Sequence, residues 1–116
     1  MVINGPTKVY EEDPSNNSSL IISIKYKNKS FLLMGDALND RMEDYMNDHA
    51  GCYNVIKLPH HGDYLKQDEK LIEKYNPKSV VVSSNYMDKK LKKLIEDKKL
   101  ELHYTADADG YMWKEW

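Results

Sequence analysis

The chain has 116 residues, 41% of them apolar and 31% charged, with a formal net charge of −2. This describes one soluble, globular domain with a modest core; it excludes a disordered chain and any general electrostatic drive toward nucleic acid. Cys52 is the lone cysteine and excludes an internal disulfide, the apolar runs are too short to span a membrane, and "MVINGPTKVY" lacks the layout of a signal peptide, so the expected setting is cytoplasmic and away from membranes.

Residues 1–17 are polar and rich in turn formers ("NGP", "EEDPSNN") and read as an arm or loop. In "LIISIKY" the residues Leu20, Ile22, Ile24 and Tyr26 alternate onto one face, the period of a half-buried strand. "KNK" turns the chain, and "SFLLM" returns it as the second strand of a hairpin. After "GDA", the run "LNDRMEDYMNDH" places Leu38, Met42, Tyr45 and Met46 at helical spacing, with Asn39 or Asp40 as N-cap and Gly51 as the stop. "YNVIKL" is a short strand that delivers the chain to "PHHG". "DEKLIEKY" is a helix with Leu71, Ile72 and Tyr75 inward, closed by Pro77. The valine-rich "SVVVSS" reads as a strand covered on both faces. Asp88 caps "KKLKKLIEDKK", which buries Leu91, Leu94 and Ile95 and presents its lysines as a solvated face. "LELHY" and "GYMWKEW" close the chain as two strands around "ADADG", with Tyr111, Trp113 and Trp116 completing the core or an interface. The order ββαβαβαββ places residues 1–116 in the α/β (α+β) class, as one domain with a mixed sheet and right-handed crossovers.

In such a sheet, ligands collect beyond the C-terminal ends of the strands. Three polar clusters are carried there: Gly35-Asp36, His60-His61-Gly62 and Ser83-Ser84-Asn85. A carboxylate and an imidazole on one rim form a divalent-metal pairing, and the glycines let the backbone approach what is bound. An Asp after a strand is also the usual turn or cap residue, and a His-His pair also occurs in polar loops, so both readings stand at this point. Ser84 and Asn85 would contact substrate from the same rim or close a strand-end turn. His49, at a helix end, and His103, on a polar strand face, are expected to be solvated.

The pieces "NNSSLIISIKYKNKSFLLMGDA", "NVIKLPHHGD", "YNPKSVVVSSN" and "YTADADGY", in that order, resemble the second half of a metallo-β-lactamase-fold domain. The nearest kind is the extracellular domain of the DNA-uptake protein ComEC and its relatives, and the resemblance covers about residues 16–113. It implies half of an αββα sandwich and a metal-dependent hydrolase, phosphodiester-directed in some members, with zinc or manganese activating water. Asp36 would bridge the metals, and His60 or His61 would be an imidazole ligand, with His60 favoured because it leaves the strand first. The remaining histidine would orient that ligand or touch substrate. These three are the catalytic and metal candidates.

The fold's His-x-His-x-Asp-His motif is not in this sequence, and Asp63 stands where the family carries Ser. Two or three ligands do not complete a catalytic centre, so the metal would be absent from this chain alone unless a partner supplies more. The resemblance therefore implies a complementary N-terminal half or a homodimer. Half a sandwich would leave one sheet face, with Ile21, Leu33 and Val81, in need of a cover. The other reading is a non-catalytic, dimeric αβ binding module. A ComEC-like whole would place the domain outside the cell, with nucleic acid as a partner.

Overall fold

The computed structural model describes residues 1–6, 20–59, 64–82 and 87–104. The anticipated final strand, together with Tyr111, Trp113 and Trp116, lies outside the described residues, as do His60, His61, Ser84 and Asn85. In chain order the elements are β1 (Val2–Asn4), β2 (Ile21–Tyr26), β3 (Lys29–Leu33), α1 (Asn39–Asp48), β4 (Val55–Lys57), α2 (Asp68–Tyr75), β5 (Ser79–Val82), α3 (Lys89–Asp97) and β6 (Glu101–Tyr104). The strands form one mixed sheet in the order β1-β2-β3-β4-β5-β6. The pairs β1–β2 and β2–β3 are antiparallel, and β3–β4, β4–β5 and β5–β6 are parallel. The chain is thus of the α/β class anticipated above.

The strand at Val2–Asn4 corrects the reading of residues 1–17 as an arm throughout. Val2 and Ile3 stay more than half exposed, so burial is not what holds this strand. Its backbone pairs with β2, and the guanidinium of Arg41 donates to the carbonyls of Asn4 and Gly5 at 3.0 and 3.1 Å. Charge-assisted bonds of this kind are worth roughly 1.5–3 kcal/mol each.

The three helices share one face of the sheet. Met42, Tyr45 and Met46 of α1, Leu71 and Tyr75 of α2, and Leu91 and Ile95 of α3 pack with Ile21, Leu32, Ile56, Leu58, Val80 and Val82 in a single core. Sequential parallel strands joined by right-handed crossovers place every helix on the same side. The parity of β2 is opposite to the sequence expectation: Ile21 is fully buried, while Leu20 and Tyr26 are 53% and 66% exposed. "LIISI" is apolar in both parities at its start, so alternation alone leaves the choice open. Pairing Ser23 with Leu32 turns Ile21 toward the helices. Ile22 and Ile24 point the other way and are half-buried.

On that second face a row runs across the sheet through Ile3, Ile22, Leu33, Lys57, Val81 and His103. Beside it lie Ile24, Phe31, Val55, Ser79 and Glu101. Ile21 therefore does not share a face with Leu33 and Val81, contrary to their grouping above.

The N-terminal edge of the parallel strands is closed by an aromatic cluster. Tyr45 Oη and Tyr53 Oη lie 2.8 Å apart, Tyr75 Oη donates to the His49 carbonyl at 2.8 Å, and His49 stacks on Tyr45 with centroids 4.1 Å apart. Burial pushes the Tyr45 and Tyr75 hydroxyls well above the ordinary phenol range. His49 is therefore a packed part of this cluster rather than a solvated helix end. His103 differs from its expectation as well: only 20% of its side chain is exposed, and its Nε2 lies 2.9 Å from Glu101 Oε1.

Candidate functional site

The C-terminal edge of β3 and β4 is where the chemistry was expected. Leu33 and Lys57 pair in register, and the Met34 amide donates to the Lys57 carbonyl at 3.3 Å. Past this last rung β3 turns sharply at Gly35-Asp36, where the Ala37 amide donates back to the Met34 carbonyl at 3.3 Å. Gly35 takes φ 60°, a left-handed conformation that a side chain disfavours, so the Gly-Asp pair is what lets the carboxylate emerge directly at the rim. Asp36 is half-buried there.

On β4 the Leu58 amide still donates to Val81 at 2.9 Å, and the strand then passes buried Pro59 toward His60. Asp36 and His60 each follow the paired residues Leu33 and Lys57 by three positions on parallel neighbours. The side chains of His60 and His61, and those of Ser84 and Asn85 beyond β5, lie outside the described residues. Among the described residues no group of three or more His, Cys, Asp or Glu side chains gathers as a metal would require.

Lys57 is the side chain at this edge that the sequence reading passed over. It is half-buried on the second face, between Leu33 and Val81. Burial lowers its pKa from the ordinary ammonium value, and the nearby Asp36 carboxylate partly restores it. The signal was present: a lysine inside the otherwise apolar "VIKL" of a central strand needs an anionic neighbour or an outlet to water.

Helix α1 starts without a side-chain cap: Leu38 occupies the N-cap position, in place of the expected Asn39 or Asp40. Asn39 is used elsewhere, its Oδ1 accepting the Gln67 amide at 3.0 Å, which ties the start of α2 to the start of α1. At the first residue of α2, Asp68 Oδ2 accepts the Leu65 amide at 2.8 Å while the Asp68 amide donates to the Leu65 carbonyl at 2.9 Å, a reciprocal closure of the turn that leads into the helix. Asp68 is 1% exposed, and burial raises its carboxyl to about 7 despite the Leu65 bond that favours the anion. Its Oδ1 and the Oε1 of the neighbouring Gln67 are buried without a hydrogen-bond partner.

Helix α3 behaves as anticipated. Asp88 Oδ1 accepts the Lys90 amide at 2.8 Å as the N-cap, and Lys89, Lys90, Lys92, Lys93, Lys98 and Lys99 are exposed. Lys90 Nζ lies 5.8 Å from the Tyr64 ring. Among the described residues no helix is long and apolar enough to cross a membrane.

No family model matches this sequence, and no curated protein matches it. The functional reading therefore rests on the residues themselves and on the arrangement of their strands.

Proposed function

We propose that this chain supplies Asp36 and one of His60 and His61 to a divalent-metal centre, as part of a metal-dependent hydrolase of the metallo-β-lactamase fold. The observation that supports this is the parallel, in-register pairing of β3 with β4, which ends both strands at one edge, with Asp36 and His60 each three residues along the sequence from the paired Leu33 and Lys57.

A carboxylate oxygen and an imidazole nitrogen are donors that both zinc and manganese accept, so the residues present fit part of such a centre. When bound, a metal of this kind supplies a hydroxide at neutral pH. Asp36 would hold the cation, the second histidine would orient the first or meet substrate, and Lys57 would balance the negative charge of the carboxylate. The other ligands would come from a complementary N-terminal half or from a second copy. Phosphodiesters are the substrate class this reading favours.

A second reading is a non-catalytic αβ module, dimeric through its second sheet face. The observation in its favour is that the Asp36 carboxylate acts on the nearby Lys57 ammonium, which balances that charge without a metal ion.

Metal content separates the two readings. The protein is equilibrated with zinc or manganese, dialysed and analysed by mass spectrometry beside Asp36→Ala, His60→Ala and His61→Ala, with its mass in solution measured by light scattering. Retention by a wild-type dimer, in which the second copy completes the ligand set, and loss in Asp36→Ala and in one histidine variant is the expected result. A wild type as empty as its variants would leave the module.

A further inference from the structure

The start of α2 holds two buried oxygens that lack donors, and they stand on consecutive residues. Gln67 is 5% exposed and Asp68 1% exposed, and neither Gln67 Oε1 nor Asp68 Oδ1 has a hydrogen-bond partner. An ionised carboxylate and an amide carbonyl can only accept, and a buried acceptor without a donor is unfavourable. The backbone donors nearby are committed elsewhere. The Leu65 amide goes to Asp68 Oδ2, the Asp68 amide to the Leu65 carbonyl, and the Gln67 amide to Asn39 Oδ1. One proton answers both needs, because protonation turns Asp68 Oδ1 into a donor.

We propose that Asp68 and Gln67 form an acid–amide pair, Asp68 Oδ1–H donating to Gln67 Oε1, and that this pair is a proton-operated latch between the starts of α1 and α2. With the proton in place, the pair holds the Gln67 side chain inward and backs the bond from the Gln67 amide to Asn39. When Asp68 ionises, two acceptors are left without a donor between them. The Leu65 bond favours the anion and stays, whereas the Gln67 side chain turns out to water and the tie to Asn39 loosens. Asn39 follows the Gly35-Asp36 turn, and Gln67 lies on the connection from β4 to α2, so the latch sits between the two segments that leave the sheet rim. It does not depend on the metal reading.

The neighbouring charges leave control of the latch to burial. Asp40 and Glu43 of α1, and Lys66, Glu69 and Lys70 around the start of α2, are exposed. Arg41 of α1 is turned to the carbonyls of Asn4 and Gly5, and Lys90 of α3 lies over the Tyr64 ring. Burial raises the Asp68 carboxyl to about 7 and the Leu65 bond lowers it; among the described residues no charged side chain adds to these causes. The latch is therefore closed below about pH 7 and opens as pH rises through it.

The test follows the Asp68 carboxyl carbon and the backbone amides of isotopically labelled protein by NMR as pH is varied. Asp68 should titrate near 7 in wild type. Gln67→Leu removes the acceptor for the acid proton, so Asp68 should bind its proton about tenfold less tightly in that variant, whereas burial alone predicts equal or tighter binding. Protection of the Gln67 amide, corrected for intrinsic exchange, should fall at least about tenfold from about pH 6 to about pH 8 in wild type. In Asp68→Asn, whose side-chain amide can donate to Gln67 Oε1 at every pH, that protection should stay level; this variant gives the reading should Gln67→Leu not fold. A wild-type Asp68 that titrates near 4 would mean a Gln67 amide turned over to donate from Nε2 to the anion, and would overturn the proposal. So would undiminished proton binding in folded Gln67→Leu, or Gln67 protection with the same pH dependence in wild type and Asp68→Asn.

Discussion

Asp68 carries more consequence for stability than its place at a helix start suggests. Burial outweighs the Leu65 bond, which favours the anion, and the second oxygen has no partner, so the neutral acid is favoured in the folded chain. A carboxyl held near 7 when folded and near 3.8 when unfolded binds more protons in the folded state between those values. Its contribution is therefore complete below about pH 4 and is lost as pH rises through 7, by on the order of 4 kcal/mol. Asp68→Asn keeps an acceptor for the Leu65 amide and removes the ionisation. Urea unfolding should show the variant more stable than wild type by about 1–3 kcal/mol at pH 8, the gain being limited by its newly buried amide hydrogens, with the difference shrinking toward pH 4.

Arg41 makes the opposite use of a buried polar group, with its guanidinium donating to the carbonyls of Asn4, the last residue of β1, and of Gly5. In Arg41→Met, hydrogen exchange at Ile3 and Asn4 and at their β2 partners should quicken markedly, because β1 has little burial to fall back on. The core beneath α2 and α3 should keep its protection. Uniform loss of protection across the sheet would show that the clamp supports more than one edge.

For the strands, what matters is which of two adjacent leucines faces the helices. Leu32 is fully buried in the core, and Leu33 is half-buried on the second face beside Lys57. Leu32→Ala should cost about 2–5 kcal/mol by denaturant unfolding, and Leu33→Ala less than about half of that. Equal costs would mean that a further layer buries the second face as deeply as the first.

How far the elements were legible depended on whether local chemistry decided them. Asp88, the Leu91–Ile95 stripe and the left-handed Asn76 stop before Pro77 set their helix ends by contacts within a few residues, and α2 and α3 came out as read. β2 was read in the wrong parity because "LIISI" offers apolar residues in both. β1 was missed because three residues that stay largely exposed carry no periodic signal. Arg41 lies four residues before buried Tyr45 and so on the inward side of α1, a position the sequence does indicate; what it clamps is 36 and 37 positions away.

For the whole molecule, placing all three helices on one face leaves Ile22, Ile24, Phe31, Leu33, Val55 and Val81 on the other. Pairing of this face with a second layer is what both functional readings require. Ile24→Lys combined with Leu33→Lys leaves the helix-side core untouched. If two copies meet face to face, light scattering should register a drop from dimer mass to monomer mass while the circular dichroism stays native. An unchanged mass would place any contact elsewhere on the surface.

The sequence by itself determined the segment types, the helix stripes and their caps, and the expectation that Asp36 and His60-His61 leave from strand ends, because each of these depends on residues only a few positions apart. Tertiary structure decided what depends on distant pairing. The β3–β4 register put Leu33 beside Lys57 and brought the Asp36 turn to that lysine, and the β2–β3 register chose which isoleucines face the helices. Burial beneath the helices, not any motif, made Asp68 a near-neutral acid and left Gln67 Oε1 without a donor. Such effects follow from desolvation and strand registry, which arise only when parts of the chain remote in sequence exclude water together.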